Sequence, residues 1–202
     1  FFILVSSILP EFIRLSPIHF INILLLLAIR EIYSTYRIGD AATRIVNLGL
    51  LTGLASLFYF SSILFLVWAI AGLNIMRSLK LNEVFMLLSG FVIPYIFAGT
   101  WYFWYDNFAF FYEQQFLQAA GFLDWPKHPI YGLGFKLGCF ALLVLLALGG
   151  YSRFMLRKTN QESRKIDLLY LFMLVSAFTP FIQAGIGLSH LLLLGIPLGI
   201  FL

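Results

Sequence analysis

Three histidines, four acids and one lysine are the side chains best placed to do chemistry in this chain. His19, His128 and His190 fall at ends of apolar segments that the charge pattern, given below, puts on one membrane face, so they would permit a shared metal or proton site. They form no H-x-x-x-H or H-E-x-x-H spacing, however, and structural histidines at a membrane interface are the plainer reading. Glu11, Asp106, Glu113 and Asp124 share that face. A carboxylate at the mouth of a membrane cavity can act as a general base or bind a metal that holds a lipid diphosphate, which makes Glu11 and Asp106 the catalytic candidates. Such acids more simply end helices in water. Lys136 lies about one turn inside an apolar run, where its ammonium could meet a phosphate or lipid headgroup, or snorkel outward. The single cysteine, Cys139, has no disulfide or ligand partner and reads as a small core residue.

The elements that would position these residues are hydrophobic. The 202 residues are 61% hydrophobic, 18% aromatic and 11% charged, with a mean hydropathy of +0.95. Soluble domains carry about a quarter charged residues. The formal charge of +4 does not point to nucleic acid, because the basic residues occur as short clusters beside apolar runs.

A helix needs about 20 apolar residues to cross a bilayer. Six spans and two clipped ones meet or approach this: residues 1–9, 15–32, two within 46–76, then 83–105, 132–152, 166–183 and 190–202. The 31-residue stretch from Val46 to Met76 is too long for one span and short for two; the expected break is at Ser61-Ser62. The expected fold is all-α, a polytopic transmembrane bundle of about eight spans forming one domain over 1–202. The clipped first and last spans suggest a piece of a longer protein.

The charges then fix an orientation. Gaps 30–44, 77–83 and 151–165 hold Arg30, Arg37, Arg44, Arg77, Lys80, Arg153, Arg157, Lys158, Arg164 and Lys165, ten of the thirteen basic residues. The alternate gaps hold only Arg14 and Lys127. Positive charge stays in the cytoplasm, so the first three gaps are cytoplasmic and the alternate ones exoplasmic. A single span over 46–76 would put the later clusters on the wrong side.

The long exoplasmic gap opens with Trp101-Tyr102-Phe103-Trp104-Tyr105, and Trp101, Trp104, Tyr105 and the later Trp125 read as anchors at headgroup depth. Apolar positions at Phe108, Phe111, Tyr112, Ala119, Ala120 and Leu123, opposite Asn107, Gln114 and Gln118, predict an amphipathic helix over 107–123 lying on the outer surface. Within the spans, Gly49-x-x-x-Gly53, Gly134-x-x-x-Gly138 and Gly195-x-x-x-Gly199 read as faces for close helix packing, not as phosphate loops. Asn22, Asn47, Asn74 and Gln183 need partners at depth, so their helices face protein or a wet cavity.

The run from Phe20 to Tyr33 with Arg30-Glu31-Ile32 at its end, followed by Gly53-Leu54-Ala55-Ser56-Leu57-Phe58-Tyr59-Phe60, resembles an uncharacterised family of multi-spanning bacterial inner-membrane proteins. Members of it are sometimes labelled beta-carotene monooxygenase, a label implying four histidines around iron on a β-propeller; three histidines on helices do not fit that. The link from Arg30 to Arg44, the glycine-containing helix pair over 46–76 and the exoplasmic surface helix are similar to C-type membrane glycosyltransferases, which use a polyprenyl-phosphate sugar donor. That resemblance implies acids in the first exoplasmic loop, and of these Glu11 alone has a counterpart here.

Two functions are therefore expected: a non-enzymatic subunit or scaffold of a bacterial inner-membrane complex, or an enzyme on a polyprenyl-phosphate-linked substrate at the exoplasmic face. The expected partners are the lipid bilayer and other membrane-protein subunits, with no nucleic acid and no cofactor.

Overall fold

A computed structural model of the chain describes residues 16–36, 38–118, 149, 160–179 and 192–201. All regular elements among the described residues are helical: α1 (Pro17–Ser34), α2 (Ala42–Phe58), a 3-10 turn (Phe60–Ile63), α3 (Leu64–Met76), α4 (Leu81–Trp104), α5 (Phe108–Tyr112), a π turn (Glu113–Gln118), α6 (Asn160–Phe178) and α7 (Gly195–Phe201).

Local sequence explains where these helices start and stop. Ser16 caps α1, its hydroxyl accepting from the Ile18 amide, and Pro17 fills the first turn where a missing N–H costs nothing. Thr35 closes the helix, its hydroxyl donating to the Ile32 carbonyl at 2.7 Å. The Asp40 carboxylate accepts from the Ala42 amide at the start of α2. The stretch 46–76 does divide, at Tyr59, whose backbone is extended (φ −149°, ψ 105°) before the 3-10 turn that contains Ser61 and Ser62. Aromatic and serine residues have weak helix preference, and serine hydroxyls compete for backbone groups, which is why the Phe58-Tyr59-Phe60-Ser61-Ser62 run is where the helix gives way.

Helices α2 and α4 pack in parallel at backbone distance. A Cβ added to Gly49 would overlap the Leu87 carbonyl oxygen and stand 2.9 Å from the Phe91 amide; one on Gly53 would overlap the Phe91 carbonyl oxygen, and one on Gly90 that of Val46. The Gly49-x-x-x-Gly53 face therefore has a partner, the Leu87–Phe91 turn of α4. Helices α3 and α6 run antiparallel, with Phe65, Trp68 and Phe172 in mutual ring contact at centroid distances of 4.8–6.0 Å. The Trp68 indole donates to the Leu168 carbonyl at 3.2 Å. Gly72 leaves room for Leu168 and Ile32, bringing α1 into the same core. Ile18, Ile21, Leu25, Ala28, Ile29 and Ile32, three and four residues apart, form the buried stripe of α1. Leu192 to Leu198, including Gly195 at the start of α7, are buried, while Gly199 is half-buried.

Among the described residues two helices, α1 and α4, are long and apolar enough to cross a membrane, against about eight crossings expected over the whole chain. Helix α2 and the Phe60–Met76 segment are apolar but shorter. Helix α6 begins at Asn160 instead of Ile166, and Glu162, Arg164, Lys165 and Asp167 in its first turns dilute its apolar content. The span expected over 1–9 and, apart from Gly149, the one over 132–152 lie outside the described residues, as does the end of the one over 166–183.

Candidate functional site

The two ends of the helix bundle differ in chemistry. At one end three segments distant in sequence meet through basic side chains. Arg77 Nη1 donates to the Ile38 carbonyl at 3.2 Å, and its Nη2 pairs with Glu83 Oε1 at 2.7 Å. Glu83 also caps α4, its Oε2 accepting from the Lys80 amide at 3.3 Å. Arg164 Nη1 donates to the Ile75 and Met76 carbonyls at 2.9 and 3.1 Å, closing the C-terminus of α3, where a cation also suits the helix dipole. Its guanidinium lies 5.9 Å from the centre of the Tyr36 ring, and Lys165 Nζ 5.5 Å from that of Tyr33. The Tyr33 hydroxyl donates to the Lys165 carbonyl at 3.2 Å. Residues from the gaps 30–44, 77–83 and 151–165 are thus brought to one end.

The other end is aromatic and polar, with no Lys or Arg among its described residues and with Asp106 and Glu113 as exposed acids. Ser56 and Tyr95 share a hydroxyl hydrogen bond of 2.9 Å, fixing the last turn of α2 to α4. The Gln115 amide donates to the Ser56 and Leu57 carbonyls at 3.2 and 3.1 Å, satisfying groups that the end of α2 leaves open. Phe116 sits edge-on to Phe60, with centroids 6.2 Å apart, and 6.1 Å from Tyr95. Trp101, Trp104 and Tyr105 are exposed, Trp104 by 83%.

Asp106 and His19 take structural positions at this end. Asp106 has φ 53°, the left-handed region usually left to glycine. Its amide donates to the Phe103 carbonyl at 3.1 Å and the Asn107 amide to the Tyr102 carbonyl at 3.0 Å, the paired bonds of a Schellman C-terminus. The Asp106 side chain is exposed. His19 Nδ1 lies 3.3 Å from both the amide nitrogen and the carbonyl oxygen of Ser16, so the imidazole completes the capping box of α1.

Glu11, His128, His190, Lys136, Gly134, Gly138, Trp125, Asp124 and Cys139 lie outside the described residues, as do positions 119–123 of the expected surface helix. The described part of that helix is α5 and the π turn, in which Phe111 is buried and Phe108 and Tyr112 are exposed. Among the described residues no group of three His, Cys, Asp or Glu side chains is placed to hold a metal ion.

Buried polar groups are mostly spent on helix packing. Thr52, Ser56, Ser176 and Thr179 donate to carbonyls three or four residues back in their own helices. Asn22, expected to need a partner at depth, is buried and donates to the Leu192 carbonyl at 3.2 Å, 170 positions away. Its Oδ1 and the hydroxyl of Ser62 have no hydrogen-bond partner among the described residues. Four contributors escaped the sequence: Gly90, the capping role of Glu83, the hold of Arg164 on α3, and Gln115. Gly90 alone left a trace, as the one small residue facing the Gly49–Gly53 stripe.

Compared with protein-family models, with curated proteins and with solved structures, the chain has no match.

Proposed function

We propose that the chain is a multi-pass inner-membrane protein acting as a non-enzymatic subunit or scaffold of a larger membrane complex, with its arginine-bearing end in the cytoplasm. The observation that carries the membrane part is the separation of charge along the helices. Residues 45–76, 84–105 and 168–179 contain no Asp, Glu, Lys or Arg, whereas Arg30, Arg44, Arg77, Lys80, Glu83, Arg164 and Lys165 lie beyond the ends of these stretches. The uncharged stretches still present large apolar side chains outward, Phe85, Val92, Ile96 and Phe97 on α4, and so does the equally uncharged part of α1 before Arg30, with Phe20, Ile23 and Leu26. The core helix of a water-soluble protein would turn such residues inward; hydrocarbon or a neighbouring subunit accepts them at no cost. The meeting of three basic gaps at one end agrees with the positive-inside orientation, and the resemblance of Phe20–Tyr33 to inner-membrane proteins points the same way.

The subunit part rests on how polar side chains are used. Ser56, Tyr95, Gln115, Trp68 and Asn22 are occupied in joining one helix to another. His19 and Asp106, two of the candidates for chemistry, serve as helix caps. Purification from the native membrane in mild detergent, with mass spectrometry of what accompanies the chain, tests the proposal. Stoichiometric membrane-protein partners are expected. A lone chain carrying a polyprenyl lipid would overturn the subunit reading in favour of an enzyme using Glu11 and Asp106.

A further inference from the structure

The helix break at 59–63 sits at a bundle end, yet Ser61 and Ser62 are wholly inaccessible to solvent. What stands against it is the segment after α4. Phe116 packs edge-on against Phe60, inside the break, and Gln115 bonds the two carbonyls just before it. We propose that residues 106–118 form a hinged lid over this break, joined to α4 at Asp106 and latched by Gln115.

Three features set this segment apart from the helices around it. Asp106, in the left-handed conformation, ends the 24-residue α4 and begins the lid, so a hinge there need break only the two capping hydrogen bonds to Phe103 and Tyr102. The stacking of Tyr102 on Phe111, centroids 5.0 Å apart, lies next to that joint and leaves the far end to Gln115 and Phe116. The lid's own helices are weak: α5 has five residues and continues as a π turn of six, a geometry that is rare and confined to short pieces. The Ser62 hydroxyl, two residues beyond Phe60, is buried without a hydrogen-bond partner among the described residues, and opening of the lid would let water or a polar ligand reach it. When open, the lid would present Ser62, Ser61 and the terminal carbonyls of α2 as a small hydrogen-bonding recess. The lid rests on these contacts alone and stands or falls independently of the subunit reading.

The test is thiol access in the full chain. In a Cys139→Ser background, Ser62→Cys is reacted with a water-soluble maleimide in micelles, with Gln115 intact and as Gln115→Met, which keeps the bulk of the side chain and loses both donors. Loss of two neutral hydrogen bonds is expected to raise the labelling rate about tenfold. Ser176→Cys, at a fully buried position in α6, is the reference and should stay unlabelled in both. An unchanged rate at Ser62→Cys, or an equal rise at Ser176→Cys, would overturn the lid, the second by showing that Gln115 holds the whole fold. Hydrogen exchange on the unsubstituted protein gives an independent reading. Amides of 108–118 are expected to exchange about tenfold or more faster than those of α2 and α4, and equal protection would count against the lid even if Gln115→Met cannot be purified.

Discussion

Arg77 and Glu83 are joined by an ion pair of 2.7 Å that links two helix ends and a loop. The same carboxylate caps α4 through the Lys80 amide, and the same guanidinium holds the Ile38 carbonyl in the α1–α2 connection. Both side chains are largely shielded, at 15% and 11% exposure, so the pair is screened less than a surface one. Glu83→Ala is expected to lower stability by about 2–3 kcal/mol, the combined loss of a cap and a shielded pair. Arg77→Met should cost somewhat less, and the double variant less than the sum of the two. Thermal unfolding in detergent, followed by tryptophan fluorescence, measures all three.

Glycine positions on α2 and α4 divide into two classes. Gly90→Ala and Gly53→Ala place a methyl group onto a carbonyl oxygen of the facing helix, so the helices must separate, at about 1–3 kcal/mol each. Gly99→Ala meets only Phe108 at 3.7 Å, an ordinary contact, and should stabilise α4 by about 0.5–1 kcal/mol through helix propensity. Opposite signs for Gly90→Ala and Gly99→Ala in the same unfolding assay are the expected result.

Asp106 carries the C-terminal cap of α4 through its backbone. Asp106→Gly keeps the left-handed conformation and is expected to be neutral or stabilising by up to about 1 kcal/mol, whereas Asp106→Val should cost about 1–2 kcal/mol. Association with native partners should survive Asp106→Gly. Loss of function from that change with stability unaltered would restore Asp106 as a chemical group.

Arg164 closes α3 from a distant part of the sequence. Because Arg164 is exposed, Arg164→Met should cost only about 1 kcal/mol, and its effect should appear as faster amide exchange in the last turn of α3. Exchange in α2 should be unchanged.

The helical class was legible in the sequence because long apolar runs and charge gaps leave strong local signals, whereas of the eight expected spans two appear among the described residues as helices long and apolar enough to cross a membrane. The division of 46–76 is expected at Ser61-Ser62 from the length of the stretch, with the charge alternation in support, and the break falls at Tyr59, two residues from Ser61. Gly49 and Gly53 announced a close approach but not its partner, since G-x-x-x-G describes one side of an interface. Gln115 is not among the polar residues that the helical spacing marks; that it reaches back to Ser56 and Leu57 depends on the π turn, which has no spacing signature. Asp106 looked chemical because an acid near an aromatic girdle invites that reading, whereas the left-handed backbone that gives it a structural role is invisible in residue type.

In the proposed topology the basic gaps lie together on one side of a membrane and the aromatic end on the other. That topology is tested most directly with single cysteines in a Cys139→Ser background: Asp40→Cys, Ser78→Cys and Glu162→Cys at one end, Glu113→Cys at the other, all at exposed positions. In right-side-out vesicles treated with a membrane-impermeant maleimide, Glu113→Cys should label at once and the other three only after the membrane is permeabilised. Labelling of any of those three from outside, or equal labelling of all four without permeabilisation, would overturn this topology.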